Sequence, residues 1–165
     1  KTLRPGCRVH LLSNKTKRTK PRPLHKYDSP QSWLDALGKT VATGERVFVS
    51  VASAKTASTW TPHQIKDYLV KYFGIDSQTI LTITAKTTQN RSDPSFGVLD
   101  NLETLKDYQI VIATPCLETG VSIEFDHFDS VWGLATGKQS PNGFRQALDR
   151  VRADVPRHIA FGQLN

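Results

Sequence analysis

The amino-acid sequence predicts an α/β domain with a mainly parallel β-sheet covered by helices on both faces. Short, β-rich apolar segments alternate with amphipathic segments of ten or so residues along most of the chain. This alternation is typical of right-handed βαβ units, which bring successive strands into one parallel sheet. The 165 residues are enough to bury a single sizeable core. The sequence contains no internal repeat, no low-complexity tract and no sign of a second core.

Four helices are predicted, and two of them have clear start signals. Ser29-Pro30 begins a helix that ends at Gly44, and Thr61-Pro62 begins one that ends at Gly74, because Pro suits the first helical position. The apolar positions predicted to face inward are Trp33, Leu34, Leu37 and Val41 in the first helix and Ile65, Leu69 and Tyr72 in the second. A short helix is predicted over residues 98–105, and a last helix over residues 141–152.

The predicted strands are residues 7–13, 46–52, 79–85, 108–114, 129–135 and 157–161. In a parallel sheet, ligands meet the loops at the carboxyl ends of the strands. Those loops are residues 53–61, 85–94, 115–128 and 136–142. The functional residues are therefore expected in or beside them.

The net charge of +7 comes from the amino-terminal end of the chain. Residues 1–27 contain nine Lys or Arg and no acid, and the basic residues are densest in KTKRTKPR at residues 15–22. Such a segment attracts a phosphate backbone without reading its sequence, so Lys15, Lys17 and Arg18 are candidate nucleic-acid contacts. A solvated loop or an interdomain connection is the alternative. We divide the chain into a basic segment over residues 1–44, packed onto or linking to the core, and a core domain over residues 45–165.

Composition excludes several classes of protein. No stretch approaches the roughly 18 apolar residues of a membrane span, so no membrane partner is expected. The two cysteines lie far apart, which favours a reducing compartment and a cytoplasmic protein. The histidines are scattered without zinc-ligand spacing, so no metal site is predicted. Because Met is absent even at position 1, we expect the chain to be a piece of a larger protein.

Two segments combine polar residues with a Gly or with paired arginines. TPCLETGVSI at residues 114–123 follows a buried strand, and Gly120 permits a close backbone approach that a side chain would block. QALDRVR at residues 146–152 places Gln146 and Arg150 on one face of the predicted helix. Guanidinium groups suit the charge that develops on a γ-phosphate during phosphoryl transfer. The alternatives are a structural strand-loop and a solvated amphipathic helix with Phe144, Leu148 and Val151 inward.

Together, in this order and about thirty residues apart, these segments resemble the fifth and sixth motifs of superfamily 2 helicases. Those motifs belong to the second of two RecA-like domains, so the resemblance implies a three-layer RecA-like fold. The family's Q-x-x-G-R-x-G-R pattern matches Gln146 and Arg150, whereas Asp149 replaces its first Gly and its last Arg falls one place early, at Arg152. The shortened form and the TP…TGVS form are most similar to origin-binding replication helicases of herpesviruses and to plasmid replication proteins.

The resemblance implies a role for each candidate residue. Arg150 and Arg152, with Gln146, would be catalytic, the arginines acting as fingers on ATP. Gly120, Ser122 and Glu124 would face the nucleotide. The candidate nucleic-acid contacts are Thr114 and, in the VSVASAKT segment, Ser50, Ser53, Lys55 and Thr56.

The resemblance also implies a longer parent protein. Its first RecA-like domain would bind most of ATP and Mg²⁺ and would be this domain's partner, and single-stranded DNA, or RNA, would be the substrate. The 165-residue chain alone is expected to be inactive. Two alternatives stay open: a non-catalytic nucleic-acid-binding module of RecA-like shape, and a metabolic α/β enzyme of flavodoxin-like topology.

Overall fold

A computed structural model describes residues 22–52, 60–115, 121–135 and 139–162. Its strands are β1 (Leu24–Lys26), β2 (Val47–Val51), β3 (Ile80–Ile83), β4 (Ile110–Ala113), β5 (Ser130–Ala135) and β6 (Arg157–Phe161). Its α-helices are α1 (Pro30–Ala42), α2 (Pro62–Phe73) and α3 (Pro141–Leu148). Three 3₁₀ helices cover Ser77–Thr79, Thr87–Gln89 and Leu102–Asp107.

The six described strands form one sheet in the order β1-β6-β5-β2-β4-β3, and every neighbouring pair is parallel. The central strand β2 aligns Val47 with Ile110 of β4 and with Ser130 of β5. Strands β2 and β4 are buried along their whole length, as expected of parallel strands covered on both faces.

Helices α1 and α2 cover one face of the sheet. Both begin with a capping box, at Ser29 and at Thr61, each followed by Pro at the first helical position. The buried residues on this face are Trp33, Leu34, Leu37, Val41, Val47, Val49, Val51, Ile65, Leu69, Ile80, Ile110, Ile112, Trp132, Leu134 and Ala160. Helix α1 thus shares one hydrophobic cluster with the sheet.

Helix α3 and the 3₁₀ helix Leu102–Asp107 lie on the opposite face. Gly133 of β5 is what allows α3 to approach, since a Cβ there would lie 2.6 Å from Leu148 Cδ2 and 2.8 Å from Phe144 Cζ. The buried residues on this face include Phe48, Val111, Val131, Ile123, Val151 and Ile159. The molecule therefore has three layers, with the sheet between two sets of helices.

The described strands confirm the five predicted between residues 46 and 161, with bounds shifted by one or two residues. The predicted strand at residues 7–13 lies outside the described residues. Strand β1 was missed, since Leu24–Lys26 is only three residues long and lies in a basic segment. Its three residues bond in parallel to β6, so the described part of the amino-terminal segment includes an edge strand of the sheet.

Three helical predictions are corrected. Tyr72 does not face inward but is 62% exposed, because the neighbouring Phe73 packs over Gly38 of α1. The helix predicted over residues 98–105 is instead a 3₁₀ helix at Leu102–Asp107, since residues 94–100 form turns in which Gly97 has a left-handed φ of 75°. The last helix ends at Leu148 rather than at residue 152.

Among the described residues, no helix has both the length and the apolar character needed to cross a lipid bilayer.

Candidate functional site

The two sequence motifs meet through a backbone bridge. Ile123 and Val151 form an isolated parallel β-bridge. The amide of Ile123 donates to the carbonyl of Arg150 at 2.7 Å, and the amide of Arg152 donates to the carbonyl of Ile123 at 3.0 Å. Both bridging side chains are fully buried against the face of the sheet that α3 covers. Segments that lie about thirty residues apart in the sequence are thus joined within the core.

The bridge explains why α3 is shorter than predicted. The last helical bond runs from the amide of Asp149 to the carbonyl of Arg145. Beyond it, the backbone groups of Arg150 and Arg152 bond to Ile123 instead of continuing the helix. Gln146 and Arg150 therefore do not share a helical face, and the expectation that they do is wrong. Gln146 is an exposed residue of α3.

The bridge also places a predicted catalytic residue against a predicted nucleotide contact. Arg152 donates from Nε to Ser122 Oγ at 2.9 Å. The Arg152 side chain is exposed, and this is the only side-chain hydrogen bond it makes within the described part of the chain. Its two terminal nitrogen atoms thus have no protein partner there and can bind an anion. Arg150 is half-buried in the adjoining turn.

A buried arginine holds the other side of this segment. Arg157, only 5% exposed, donates from Nη1 to the carbonyl of Val155 and from Nη2 to the carbonyl of Val151, both at 2.7 Å. Hydrogen bonds from a charged donor are among the stronger ones in proteins. The backbone that carries Arg150 and Arg152 is therefore bonded on both sides. We refer to residues 149–156 as the arginine loop.

Ser122 and Glu124 line an open depression of about 420 Å³ together with Phe125 and residues 99–103. Its lining includes the carboxylates of Asp100, Glu103 and Glu124, of which Glu103 is paired with Lys106. Carboxylates repel phosphate oxygens but accept hydrogen bonds from hydroxyl or amino groups. The depression thus suits a sugar or a base better than a triphosphate.

The two described candidates for nucleic-acid contact lie at the carboxyl edge of the sheet, in neighbouring strands. Ser50 is in β2 and is paired in register with Ala113, whereas Thr114 is the residue after β4. Since side chains alternate along a strand, the one-residue offset puts the two hydroxyls on opposite faces. Both residues are only 6% exposed, and Thr114 Oγ1 lies 3.4 Å from the carbonyl of Ile83. One phosphate cannot contact both hydroxyls in this arrangement.

The remaining candidates, Lys15, Lys17, Arg18, Ser53, Lys55, Thr56 and Gly120, lie outside the described residues. Ser53, Lys55 and Thr56 belong to the loop that follows β2, and Gly120 belongs to the loop that follows β4. Within the described residues, no three His, Cys, Asp or Glu side chains come together in a group that could hold a metal ion.

Away from the arginine loop, His158 lies in an aromatic stack on the α1 face. Its ring stacks on Trp132 at a centroid distance of 4.0 Å and on His25 at 4.6 Å. Tyr27 Oη lies 2.9 Å from its Nδ1. Burial, reinforced by the charge of His25, lowers the pKa of His158 to about 4. At the amino ends of β2 and β5, the hydrogen bond from Arg46 to Asp129 holds the pKa of Asp129 below its usual value.

Sequence reasoning missed Arg22 as a structural residue. It belongs to the basic segment, yet its side chain bonds to Asp149 and Asp154 of the arginine loop. The one signal in the sequence is the acidic residue at position 149, where the helicase pattern has Gly.

Comparison with models of known protein families gives no match. An uncharacterised protein of Picosynechococcus sp. is 38% identical over 134 residues, an alignment that covers 80% of this chain. The chain spans only 13% of that relative's length.

Among solved structures, the chain is similar to the UvsW helicase from bacteriophage T4. The TM-score is 0.57 at 11% sequence identity, and the match covers 87% of this chain and 47% of that chain. The C-terminal part of the Fun30 ATPase domain matches with a TM-score of 0.49 at 18% identity, over 78% of this chain and 40% of that chain. At an identity of 11%, the match to UvsW concerns the fold. With the all-parallel six-stranded sheet, it confirms the predicted RecA-like α/β architecture.

Proposed function

We propose that the chain is the second, carboxyl-terminal RecA-like motor domain of an ATP-dependent DNA helicase. The parent would act in DNA replication of the plasmid or viral type. The observation that carries this proposal is the bridge between Ile123 and Val151, beside which Arg152 bonds to Ser122 and the backbone of Arg150 bonds to Ile123. The similarity to a helicase structure supports the same assignment.

The chemistry of the arginine loop fits a nucleotide phosphate. Transfer of the γ-phosphoryl group to water builds negative charge on its oxygens, and a guanidinium that is already held in place stabilises this charge at low reorganisation cost. Arg152 has two terminal nitrogen atoms without a protein partner in the described region, and its Nε is fixed by Ser122. We assign Arg152 and Arg150 as the residues that contact the phosphates.

The charges of the neighbouring side chains guide the assignment of the other nucleotide contacts. Ser122 orients Arg152, and Glu124 is one of the acidic residues that line the adjacent depression. We assign Glu124 to hydroxyl or amino groups of the nucleotide rather than to its phosphates. Gln146 is exposed on α3 and is assigned to water or phosphate ordering in the closed state. Gly120 would allow the backbone to approach the nucleotide.

We assign the nucleic-acid contacts to the carboxyl edge of the sheet, away from the arginine loop. Thr114 and Ser50 lie at that edge, and the loop with Ser53, Lys55 and Thr56 follows β2 directly. Hydroxyls and a lysine suit backbone phosphates rather than base edges, so binding would not depend on the sequence of the nucleic acid. Since Thr114 and Ser50 are mostly buried, we assign the larger contribution to Ser53, Lys55 and Thr56. Lys15, Lys17 and Arg18 would add salt-dependent attraction.

The proposal assigns the triphosphate and Mg²⁺ mainly to a first RecA-like domain elsewhere in the parent. Closure of the two domains would bring the arginine loop to the γ-phosphate, and reopening after hydrolysis would move the domains along single-stranded DNA. In this scheme the 165-residue chain alone does not hydrolyse ATP.

One observation favours a second candidate function. Arg152 already has a protein partner, Ser122, as expected if QALDRVR only supports the fold. The chain would then be a nucleic-acid-binding module of RecA-like shape without a motor role. The exposed terminal nitrogens of Arg152 favour the motor, and the two functions make opposite predictions for ATP hydrolysis.

The test is ATP hydrolysis by the parent protein, with and without single-stranded DNA. Arg150→Ala and Arg152→Ala should each lower the DNA-stimulated rate by the ~10³-fold expected for a lost arginine finger. Arg46→Ala is the matched control, since Arg46 is an arginine with a 48% exposed side chain that bonds to Asp129 and, among the described residues, to no side chain of the arginine loop. Wild-type rates in both loop variants would refute the motor assignment and favour the binding module.

A further inference from the structure

Arg22 belongs to the basic amino-terminal segment, but its side chain is directed into the protein and is only 8% exposed. All three nitrogen atoms of its guanidinium are used. Nη1 donates to Asp149 Oδ1 at 2.8 Å, Nε donates to Asp154 Oδ1 at 3.0 Å, and Nη2 donates to the carbonyl of Arg152 at 2.6 Å. A guanidinium bonded in this way is not available to a phosphate backbone.

The backbone next to Arg22 is held as firmly as its side chain. Pro23 accepts a hydrogen bond from the amide of Arg157 at 2.8 Å, and Leu24 begins β1, which pairs with β6. Arg22 therefore starts from a point fixed to the edge of the sheet. Ordering its long side chain therefore costs rotamer entropy but no further backbone entropy.

The three groups that Arg22 binds enclose both candidate arginine fingers. Asp149 directly precedes Arg150, the carbonyl belongs to Arg152 itself, and Asp154 follows two residues later. Without Arg22, Asp149 and Asp154 would lose the cation that holds their carboxylates together on this side of the loop. Arg145 Nε also lies 3.8 Å from Asp149 Oδ2, and Arg157 and the bridge at Ile123 bond to other backbone groups, but none of these described contacts joins Asp149 to Asp154.

We propose that Arg22 is a positioning residue for the arginine loop and orients Arg150 and Arg152 for phosphoryl transfer. This inference rests on the proposed motor function and deepens it. The residue acts through Asp149 and Asp154 and contacts no substrate. It also explains the acidic residue at position 149, which provides a carboxylate for Arg22 where the helicase pattern has Gly.

The main variant is Arg22→Gln, which keeps much of the side-chain volume but removes the charge and the planar set of guanidinium donors. Arg22→Lys keeps the charge but lacks this planar set of donors. The matched control is Arg46→Gln, which also removes an arginine paired with an aspartate. Arg46 Nη2 lies 3.2 Å from Asp129 Oδ1, at the amino ends of β2 and β5, and among the described residues neither side chain bonds to the arginine loop.

Steady-state ATP hydrolysis by the parent with saturating single-stranded DNA gives the first measurement. Arg22→Gln should lower kcat about 10- to 100-fold, the loss typical of a misplaced catalytic group, and leave KM for ATP within about threefold. Arg22→Lys should recover part of this loss, and Arg46→Gln should stay within about twofold of wild type. A kcat for Arg22→Gln equal to that of Arg46→Gln would overturn the positioning role.

Hydrogen exchange of the parent, followed by mass spectrometry, gives a measurement that does not depend on activity. Arg22→Gln should speed exchange in peptides that cover residues 121–124 and 149–153, while peptides from α1 keep their wild-type rates. Unchanged exchange at the arginine loop would show that Arg22 does not hold the loop in place and would overturn the proposal. Arg150→Ala and Arg152→Ala are assayed alongside. If both hydrolyse ATP at the wild-type rate, the motor function fails, and faster exchange in Arg22→Gln would then assign Arg22 a purely structural role.

Discussion

Gly133 offers a test of how closely α3 packs on the sheet, because two opposing effects can be weighed for Gly133→Ala. The φ of Gly133 is not positive, so Ala fits the backbone. By itself the change would stabilise the protein by ~0.4–1 kcal/mol, because Ala lowers the conformational entropy of the unfolded chain. Its Cβ, however, would lie 2.6 Å from Leu148 Cδ2 and 2.8 Å from Phe144 Cζ. Carbon atoms normally pack at about 3.5–4.0 Å, so both side chains must move by roughly 1 Å.

Overpacking of this kind costs about 1–3 kcal/mol, and both displaced residues are more than 90% buried. The steric cost therefore exceeds the entropic gain, and Gly133→Ala should lower the free energy of unfolding by about 1–2 kcal/mol. For a chain of this size that lowers Tm by roughly 2–8 °C.

The assay is urea denaturation of the 165-residue chain, as a double-mutant cycle with Leu148→Ala. Leu148→Ala alone should cost ~2–5 kcal/mol. Combined with Gly133→Ala it should cost at least ~1 kcal/mol less than the sum, because the new methyl group fills space that the leucine vacates. A Gly133→Ala protein as stable as wild type, or strictly additive effects, would refute the packing described for α3.

Two further perturbations probe other parts of the molecule. The folded-state pKa of His158, about 4, lies below its unfolded value of about 6.5, so its contribution to stability is present above pH 6.5 and is lost as pH falls toward 4. Denaturation at pH 7 and pH 5 should show a loss of roughly 1–2 kcal/mol from this group, and His158→Phe, which keeps the stack on Trp132, should remove it; an unchanged pH dependence in that variant would contradict the assignment. Ser122→Ala removes the partner of Arg152 Nε, so it should lower kcat of the parent several-fold while changing the free energy of unfolding by no more than about 1 kcal/mol. If kcat is unchanged, Ser122 does not orient Arg152.

Most of the fold could be predicted because local signals agree with tertiary packing. Ser29-Pro30 and Thr61-Pro62 are N-terminal caps in the structure, and the central strands β2 and β4 are mainly apolar and buried along their whole length. The sequence predictions fail where contacts with another segment of the chain determine the local structure. Helical periodicity allows either Tyr72 or Phe73 to face inward, and the space over Gly38 selects Phe73. Strand β1 has three exposed residues and no pattern, so only its pairing with β6 defines it.

The sequence named the residues of the candidate site, whose roles stay predictions, but not their arrangement. The motif resemblance identified Arg152 and Ser122 separately, and nothing in the sequence indicated that they bond to each other. The long-range bridge at Val151 ends α3 early, against a helical pattern that continues to residue 152. Arg22 belongs to the segment that is predicted to attract a phosphate backbone, because charge patterning does not reveal which cation bonds to a carboxylate of the same chain.

The central claim is that the arginine loop acts on the transition state of ATP hydrolysis rather than on the fold. The most direct test compares two affinities of the parent protein, for ADP with aluminium fluoride, which mimics the transferring phosphoryl group, and for ADP alone. Arg152→Ala should weaken binding of the aluminium fluoride complex by about 10²-fold or more and leave ADP affinity within a few-fold, because a finger binds charge that only the transition state carries. Equal effects on both ligands, or no effect on either, would contradict the account.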